Sequence, residues 1–187
     1  MSSVLAVRSL EEKSLDTQAA ESAATVTLLD GRHVQLRRLC AGDASAVLAL
    51  HQNLSDRDRL FRFFTLHPRH LDELVRQLTT QGDKQTAIGA FEDDRLIGVA
   101  NFVVSDDPSV ADVAIVVTHE EHLHGVGTAL LKHLAHLARS QGIQRFLADV
   151  MAENTLMLQV LSYFGWPSHR LDFGSVLHVE VELPESF

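Results

Sequence analysis

The stretch from Asp112 to Arg139 limits most strongly how this chain can fold. Its first residues are mostly Val, Ile and Ala, a run typical of a strand that is covered on both faces. Gly125 and Gly127 follow at the point where this strand would pass into a helix. From Gly127 onward, apolar residues recur at spacings of three and four, which predicts an amphipathic helix. A strand, a tight glycine loop and a helix are therefore expected in direct succession.

The start of that helix is predicted to bind an anion. The first backbone N–H groups of a helix have no acceptor within it, and the helix dipole makes this end positive. Glycine allows an anion to approach those amides closely. The dinucleotide fingerprint G-x-G-x-x-G is absent because Leu130 replaces its third glycine, and no Gly-Lys-Ser/Thr occurs. The alternative is that the two glycines serve only the geometry of a tight turn.

The residues around this loop resemble the GNAT superfamily of N-acyltransferases. The run His122-Leu123-His124-Gly125-Val126-Gly127 is similar to the acyl-CoA pyrophosphate loop of that family, commonly Gln/Arg-x-x-Gly-x-Gly/Ala. A strand at Phe146–Val150 and the segment Glu153–Met157, closing in Phe164-Gly165-Trp166, resemble its second conserved block. The resemblance covers roughly Thr25–Pro184, and the order of the pieces makes it specific.

One branch of the superfamily, the bacterial protein lysine acetyltransferases, resembles this chain more closely. The segment Ser55–Phe64, followed by a His-Pro and a further helix, looks like that branch. In these enzymes a Glu stands ten residues ahead of the Gln or Lys of the loop, and here Asp112 stands ten residues ahead of His122. The branch modifies acyl-CoA synthetases and related enzymes, so the resemblance implies a protein lysine as acceptor.

The resemblance also implies a fold and a cosubstrate. The expected fold is α+β, with a central mixed, mostly antiparallel sheet flanked by helices on both faces, as one domain over residues 25–187. Acetyl-CoA is the expected cosubstrate, with its pantetheine arm between the strands at Val113 and Leu147. The residues expected to bind it are Ile115, Val116, Val117, His122, Leu123, His124, Gly125, Val126, Gly127, Thr128 and Asn154.

Three positions depart from the family pattern. His122 replaces the usual Gln, Arg or Lys, which weakens side-chain support for the phosphates but leaves the backbone amides intact. Asp112 is one methylene shorter than Glu. Many GNAT enzymes place a Tyr seven residues after the Asn, as the acid for the departing thiolate, and that position is Leu161 here. Tyr163 lies roughly 200° further around the helix, so we expect it to face elsewhere.

Asp112 is the first candidate for the general base. Acyl transfer to an amine needs a group that takes a proton before attack, because an amine near neutral pH is mostly protonated. A carboxylate on a mostly apolar strand is costly unless it is used or paired, and burial would raise its pKa. The alternative is a solvated residue at the start of a strand. His119, Glu120 and Glu121 are the next candidates.

For other polar residues, the sequence is compatible with a structural role as well as with a functional one. Asn154 lies where the family uses its side chain near the thioester, and it would also cap a helix well. His119, His122 and His124 lie close together on one loop but lack a supporting fourth ligand, so no metal is expected. Candidates for the wall of the acceptor site are Arg57, Arg59 and Arg62 with Phe61, Phe63 and Phe64, although aromatic residues at this spacing are more often core.

Composition excludes several classes of protein. The chain has 187 residues, of which 45% are hydrophobic, and a net charge of −9, which argues against nucleic-acid binding. Its single cysteine, Cys40, cannot form an internal disulfide. No apolar run is long enough to span a membrane. The first 24 residues lack the apolar core of a signal peptide, so we expect a cytoplasmic protein. They are rich in Ala, Ser and Glu, which predicts a mobile or weakly helical arm, and the alternative is an arm that folds over a partner subunit.

Local signals predict the remaining elements. Asp30-Gly31 lies between two alternating segments and predicts a β-hairpin. Asp43 is expected to cap a helix that ends near Leu54, and Ser55 to begin a short helix. A last hairpin is expected through Asp172–Ser175.

Three functional hypotheses remain open from the sequence. The first is an acetyl-CoA-dependent acetyltransferase that modifies a protein lysine. The second keeps the fold and replaces the acceptor with a small amine. The third is a CoA-binding regulatory module without turnover, a hypothesis motivated by the missing Tyr and the altered loop residue. The length of the acyl group and the choice between monomer and homodimer are also open.

Overall fold

The structure is a computed structural model that describes residues 23–80, 82–170 and 174–185. The proposed N-terminal arm lies outside the described residues up to position 22. Its last residue, Ala24, already belongs to the first strand, so the folded domain begins slightly earlier than residue 25. The tip of the last predicted hairpin also lies outside the described residues.

In the part of the chain that the structure describes, eight strands form one sheet in the spatial order β1-β2-β3-β4-β5-β6-β8-β7. Every neighbouring pair is antiparallel except β5 and β6, which are parallel. The predicted mixed, mostly antiparallel sheet is therefore confirmed. The strands are β1 (Ala24–Thr27), β2 (His33–Arg38), β3 (Gln85–Glu92), β4 (Arg95–Val104), β5 (Val110–Val117), β6 (Arg145–Met151), β7 (Ser168–Arg170) and β8 (Val176–Glu182).

Within the described residues, five α-helices cover the two faces of this sheet. They are α1 (Ala44–Gln52), α2 (Asp56–Phe63), α3 (Leu71–Thr79), α4 (Val126–Ser140) and α5 (Thr155–Tyr163). Leu130, Leu131 and Leu134 of α4 belong to one buried apolar cluster, and α5 packs against the same cluster. Val47 of α1 and Val75 of α3 belong to a second cluster. The α+β class with helices on both faces is confirmed.

The alternation of side chains along β5 explains how one strand serves both cores. Ile115 and Val117 pack against the α4 cluster, whereas Val116 belongs to the α1–α3 cluster. Successive residues of a strand point to opposite faces of its sheet. The nearly continuous apolar run in the sequence therefore reflects a strand with a core on each side, as expected.

The parallel contact between β5 and β6 is short. The two strands pair only at Val110 with Arg145, Ala111 with Phe146 and Asp112 with Leu147. Both strands continue beyond this point, to Val117 and Met151. They therefore diverge after Asp112 and leave a gap in the middle of the sheet.

The predicted helix starts are confirmed at two of three places. The Ser55 side chain accepts a hydrogen bond from the Asp58 N–H at 3.1 Å, and Asn154 accepts one from the Met157 N–H at 3.1 Å. Asp43 directly precedes α1 as predicted, but its side chain does not cap that helix. A short 3-10 turn precedes α1, and the Asp43 carboxylate instead pairs with Arg37 at 2.8 Å and accepts the Cys40 N–H. The described part of the chain has no helix with the length and apolar character needed to cross a membrane.

Candidate active site

The start of α4 presents unpaired backbone amides. Gly125 caps the helix with φ 94°, a conformation that glycine adopts without strain. The first intrahelical bond is donated by Ala129 to the Gly125 carbonyl. The N–H groups of Val126, Gly127 and Thr128 therefore have no acceptor inside the helix, which makes this end an anion site.

The loop that leads into α4 is fixed by an ion-pair network. Glu121 is 4% exposed, and its carboxylate binds Arg32 at 2.7 Å and Arg95 at 2.8 Å. Both arginines also bind Glu92. The hydrogen bond from Arg32 lowers the pKa of Glu121, so this carboxylate stays ionised. Glu121 therefore positions the loop and is poorly suited to be a base.

A cleft of about 650 Å³ occupies the gap between β5 and β6. Its lining includes β5 from Asp112, β6 from Leu147, α5 from Asn154, and Gly125 and Gly127 of the loop. On the other face of the sheet it reaches α2. The cleft thus connects the anion site at α4 with the face that α2 covers.

Backbone groups of β5 point into this cleft. The Thr118 N–H donates to Ile97 of β4, and the Val110 carbonyl accepts from Ser105 after β4. Even-numbered residues of β5 therefore direct their backbone groups toward β4, and odd-numbered ones direct them toward the gap. Beyond the paired segment, these are chiefly Ile115 and Val117. Backbone groups that face a gap between two strands can form hydrogen bonds with an extended ligand that itself contains amide groups.

The residues that were expected to bind the cosubstrate divide into two groups. Those that line the cleft are Ile115, Val116, Val117, His122, Leu123, Gly125, Gly127, Thr128 and Asn154. The His124 ring lies 3.6 Å from Glu121 instead, and the Val126 side chain is buried in the core. Val126 can still contribute to the anion site through its backbone N–H at the start of α4. The roles in binding stay predictions.

Asp112 lies at the point where the strands separate, but it is not buried. Its side chain is exposed at the edge of the cleft. The expectation of a buried carboxylate is therefore wrong, and the alternative of a solvated residue is met, because the gap that opens beside Leu147 leaves Asp112 in solvent. Its role as base stays a prediction, which now depends on position alone. Of the other candidates, only His119 and Glu121 line the same cleft.

The α2 wall carries opposite charges. Arg57, Asp58, Phe61 and Arg62 of α2 all line the cleft. Arg62 donates one hydrogen bond to the Asn101 side chain at 3.3 Å, and its buried Nε has no partner. Burial lowers the pKa of Arg62 to about 10. It therefore remains charged at neutral pH, next to the gap.

Asp58 joins two histidines of the loop at the cleft. His119 Nδ1 lies 3.4 Å from Asp58 Oδ2, and His122 Nε2 lies 3.7 Å from Asp58 Oδ1. His122 Nε2 also contacts the Val117 carbonyl at 3.1 Å. The sequence predicted that His119, His122 and His124 group on one loop, but the structure replaces His124 with a carboxylate from α2.

Leu161 and Tyr163 occupy different environments, as the helical offset predicts. Leu161 packs against the α4 cluster, whereas Tyr163 is 76% exposed. Both nevertheless line the cleft, so Tyr163 lies at its rim and does not face away from it altogether. The expectation that it faces elsewhere is therefore only partly met.

Two residues of the site were missed from the sequence. Asp58 had a signal that was not used, since Ser55-x-x-Asp58 is a capping pattern that fixes a carboxylate at the start of α2. Leu29 is 83% exposed in the β1–β2 turn, and its N–H donates to the His124 carbonyl at 3.2 Å. An exposed leucine beside a turn has no local signal that would reveal contact with a loop almost a hundred positions later.

Comparison with known proteins agrees with this architecture. Residues 51–166 match the model of the acetyltransferase (GNAT) family. The matched segment is more than half of the chain and runs from the end of α1 past α5. This chain belongs to the GNAT acetyltransferase family, and it is an acyltransferase.

Individual relatives are similar over most of the chain. The acetyltransferase PA5475 of Pseudomonas aeruginosa is 25% identical over 150 residues, which are 77% of this chain and 80% of that protein. The GNAT domain of S. lividans PAT superposes with a TM-score of 0.81 at 27% identity, over 88% of this chain and 98% of that one. A cAMP-binding acyltransferase from Mycobacterium smegmatis gives a TM-score of 0.60 at 22% identity, over 90% of this chain and 50% of that one, and shares the fold.

Members of this family generally use acetyl-CoA as cosubstrate, and the cleft fits such a molecule. Free helix-start amides suit its pyrophosphate. At Gly127, an added Cβ would meet nothing closer than Val117 Cγ2 at 3.8 Å, so the space above these amides is open. The unpaired backbone groups of β5 suit the amides of a pantetheine arm. The pyrophosphate and the pantetheine arm thus each have a matching surface in one continuous cleft.

Proposed function

We propose that this protein transfers an acetyl group from acetyl-CoA to the side-chain amine of a protein lysine, by direct attack. The observation that carries the proposal is the divergence of β5 and β6 after Asp112 and Leu147. It opens one cleft from the amides at the start of α4 to the charged groups on the α2 face. The two substrates would thus approach the same point from opposite sides of the sheet.

In this mechanism Asp112 takes the proton from the attacking amine. Acetyl-CoA supplies a thioester carbonyl when bound. The N–C bond forms as the C–S bond breaks, and the thiolate takes its proton from solvent. The N–H of Ile115 faces the gap and would stabilise negative charge that develops on the carbonyl oxygen. Because Asp112 is exposed, it would act on an amine that arrives from solvent, directly or through one water.

A lysine acceptor is supported by charge as well as by resemblance. Asp112 and Asp149 line the cleft as exposed carboxylates, and the chain carries a net charge of −9. Carboxylates at the cleft attract a cationic side chain and raise its local concentration. The segment Ser55–Phe64, which resembles the protein lysine acetyltransferases, forms the wall on this side.

The proposal is tested by presenting candidate proteins and a panel of small amines to the full chain with acetyl-CoA. Intact-mass measurement would detect each acetyl group that is added, and a thiol reagent would follow release of free CoA. We expect mass additions on lysines of a protein acceptor. Turnover with small amines alone would reject the lysine assignment, and thiol release no faster than without enzyme in every case would reject transfer altogether.

Arg62 favours a second candidate acceptor, a small amine that also carries a carboxylate. Its guanidinium is paired with an amide oxygen rather than a carboxylate, and one of its buried N–H groups is free. A carboxylate of the acceptor would supply the missing partner, and an amino acid has both required groups. A hydrogen bond to a charged group contributes about 1.5–3 kcal/mol.

The matched pair Arg62→Met and Arg57→Met separates the two acceptors. Both residues line the cleft from α2, but Arg57 is exposed. If amino acids are the acceptors, Arg62→Met should raise their KM by roughly 10–100-fold, while Arg57→Met changes it little. Equal effects of the two substitutions would reject a specific carboxylate contact.

A further inference from the structure

The Asp58 carboxylate is buried without a permanent positive partner. Its side chain is 7% exposed, and within the described residues neither a lysine nor an arginine lies at ion-pair distance. The Ser55 hydroxyl donates to Oδ2 at 2.6 Å, which satisfies one lone pair. Nearby arginines are used elsewhere, since Arg59 donates to the carbonyls of Gln52 and Leu54 and Arg62 donates to Asn101. A buried carboxylate in this position needs a cation.

Two imidazoles approach the carboxylate at distances that suit ligands of one ion. The two N···O separations, 3.4 Å from His119 and 3.7 Å from His122, are longer than a normal hydrogen bond. Ligands placed tetrahedrally at about 2.1 Å from a zinc ion lie about 3.4 Å apart. One ligand atom from each of the three side chains lies within 4.8 Å of the other two. Small side-chain rotations would therefore bring all three onto a common centre.

We propose that Asp58, His119 and His122 form a binding site for Zn²⁺ or a similar divalent transition metal. Two imidazoles and one carboxylate are a donor set of the kind that zinc prefers, whereas Mg²⁺ and Ca²⁺ prefer oxygen ligands. The Ser55 hydroxyl orients the carboxylate from behind, as outer hydrogen bonds do in metal sites. All three residues line the cleft, which leaves a fourth position for water from that side.

Metal binding at this site would link the two walls of the cleft. Asp58 belongs to α2, whereas His119 and His122 belong to the loop that leads into α4. His122 Nε2 contacts the Val117 carbonyl at 3.1 Å, and it cannot hold that contact and a metal at once. Occupation would therefore free a carbonyl that points into the gap, and would hold α2 against the loop. No metal was expected from the sequence because the three loop histidines have no further ligand beside them. The structure adds Asp58, which comes from a different element.

The test measures metal binding itself and so does not depend on catalysis. Full-length protein freed of metal with a chelator would be titrated with Co²⁺, whose visible absorption reports tetrahedral coordination, and with Zn²⁺ against a chromogenic chelator. The cluster variants are Asp58→Asn, His119→Ala and His122→Gln. His119 is exposed, so His119→Ala should fold normally even if Asp58→Asn does not.

His178→Ala provides a matched control. His178 Nδ1 lies 2.5 Å from Asp149 Oδ1, so this variant also breaks a histidine–carboxylate pair. That pair offers only two metal ligands, whereas the proposed site offers three. We expect one equivalent of metal in the natural protein and in His178→Ala, and an affinity lower by more than about 100-fold in each folded cluster variant, since loss of an outer partner alone costs 10–100-fold. Failure to bind one equivalent, or unchanged affinity in His119→Ala and His122→Gln, would overturn the proposal.

Discussion

The two faces of the sheet bury different kinds of side chain. Under α4 and α5 the core is apolar, with Leu130, Leu134 and Phe146 fully enclosed. The segment that covers the other face buries four polar or charged residues, Asp43, His51, Asp58 and Thr79. Under the proposed function, the α4 face would offer the cosubstrate packing and backbone amides, whereas the α2 face would offer the acceptor charged side chains. Binding on the first side would then depend on shape, and binding on the second side on electrostatics.

The largest effect is expected from Asp112, where the two sides meet. Asp112→Asn should lower kcat by roughly 10²–10⁴, the usual contribution of a positioned general base. Acetyl-CoA affinity should change little because the anion site lies further along the chain. Asp112→Glu should retain activity. Steady-state rates and calorimetry would measure the two quantities.

Asp149→Asn is the control for that experiment, since Asp149 is an exposed carboxylate that also lines the cleft. Full activity of Asp112→Asn across the pH range would contradict the assignment. A rate loss confined to Asp149→Asn would indicate that the general base is Asp149 of β6.

A substitution on the α4 side should act on binding and leave folding intact. Gly127→Glu places a carboxylate above the free amides at the start of α4. Repulsion between this carboxylate and the negatively charged pyrophosphate should cost several kcal/mol of binding free energy. Acetyl-CoA affinity should fall by at least about 100-fold, as measured by calorimetry. The helix itself should be unharmed, because a negative side chain is favourable in its first turn.

Gly82→Glu is the matched control for Gly127→Glu. A Cβ at Gly82 would meet its nearest atom at 3.9 Å, against 3.8 Å at Gly127, and Gly82 is not one of the residues that line the cleft. The two variants thus introduce the same charge with similar steric cost. If both bind acetyl-CoA like the natural protein, the anion site is not at this loop.

The polar face should make stability sensitive to mild acid through His51. Burial lowers the pKa of His51 to about 4, whereas the unfolded chain should titrate near 6.5. The unfolded state therefore binds one more proton between these values, so stability is retained above about pH 7 and falls as the pH drops toward 4. The loss should reach roughly 3 kcal/mol in the free energy of unfolding.

Chemical denaturation at a series of pH values would measure this loss. His51→Leu should flatten the dependence between pH 6.5 and 4, whereas His67→Leu, at an exposed position, should not. An unchanged slope in His51→Leu would mean that other groups produce the acid sensitivity.

The smallest effect is expected at Tyr163, on the rim of the cleft. Its side chain is 76% exposed and contacts the Phe164 ring edge-on at 5.5 Å. A thiolate can leave with help from solvent, so Tyr163→Phe should keep its rate within about tenfold, well below the effect of removing a general acid. A hundredfold loss of kcat with unchanged stability would show that Tyr163 serves as the acid.

The difference between the faces also explains what the sequence could predict. The strand, loop and helix from Val110 to Ser140 were predictable because periodicity and glycine placement are local properties. The Asp93-Asp94 turn between β3 and β4 and the caps at Ser55 and Asn154 were predictable for the same reason.

Contacts over long sequence separations were not predictable in the same way. Asp58 meets His119 across about sixty positions, and Arg32 meets Glu121 across nearly ninety. Asp43 was expected to cap α1, because nothing in the sequence indicates that Arg37 of β2 would bind its carboxylate instead. The exposure of Asp112 follows from a gap in the sheet, which no property of β5 alone reveals.

The short contact between β5 and β6 has a consequence for how the molecule holds together. Five strands lie on one side of that seam and three on the other, joined by three paired positions. Phe102 and Phe146 bridge the seam with ring centres 6.1 Å apart. Cooperativity between the two parts thus depends on the core under α4, and the gap resembles a sheet that lacks one strand. An extended cosubstrate would act as that strand, so hydrogen exchange at Ile115 should slow when it binds and report occupancy without any label.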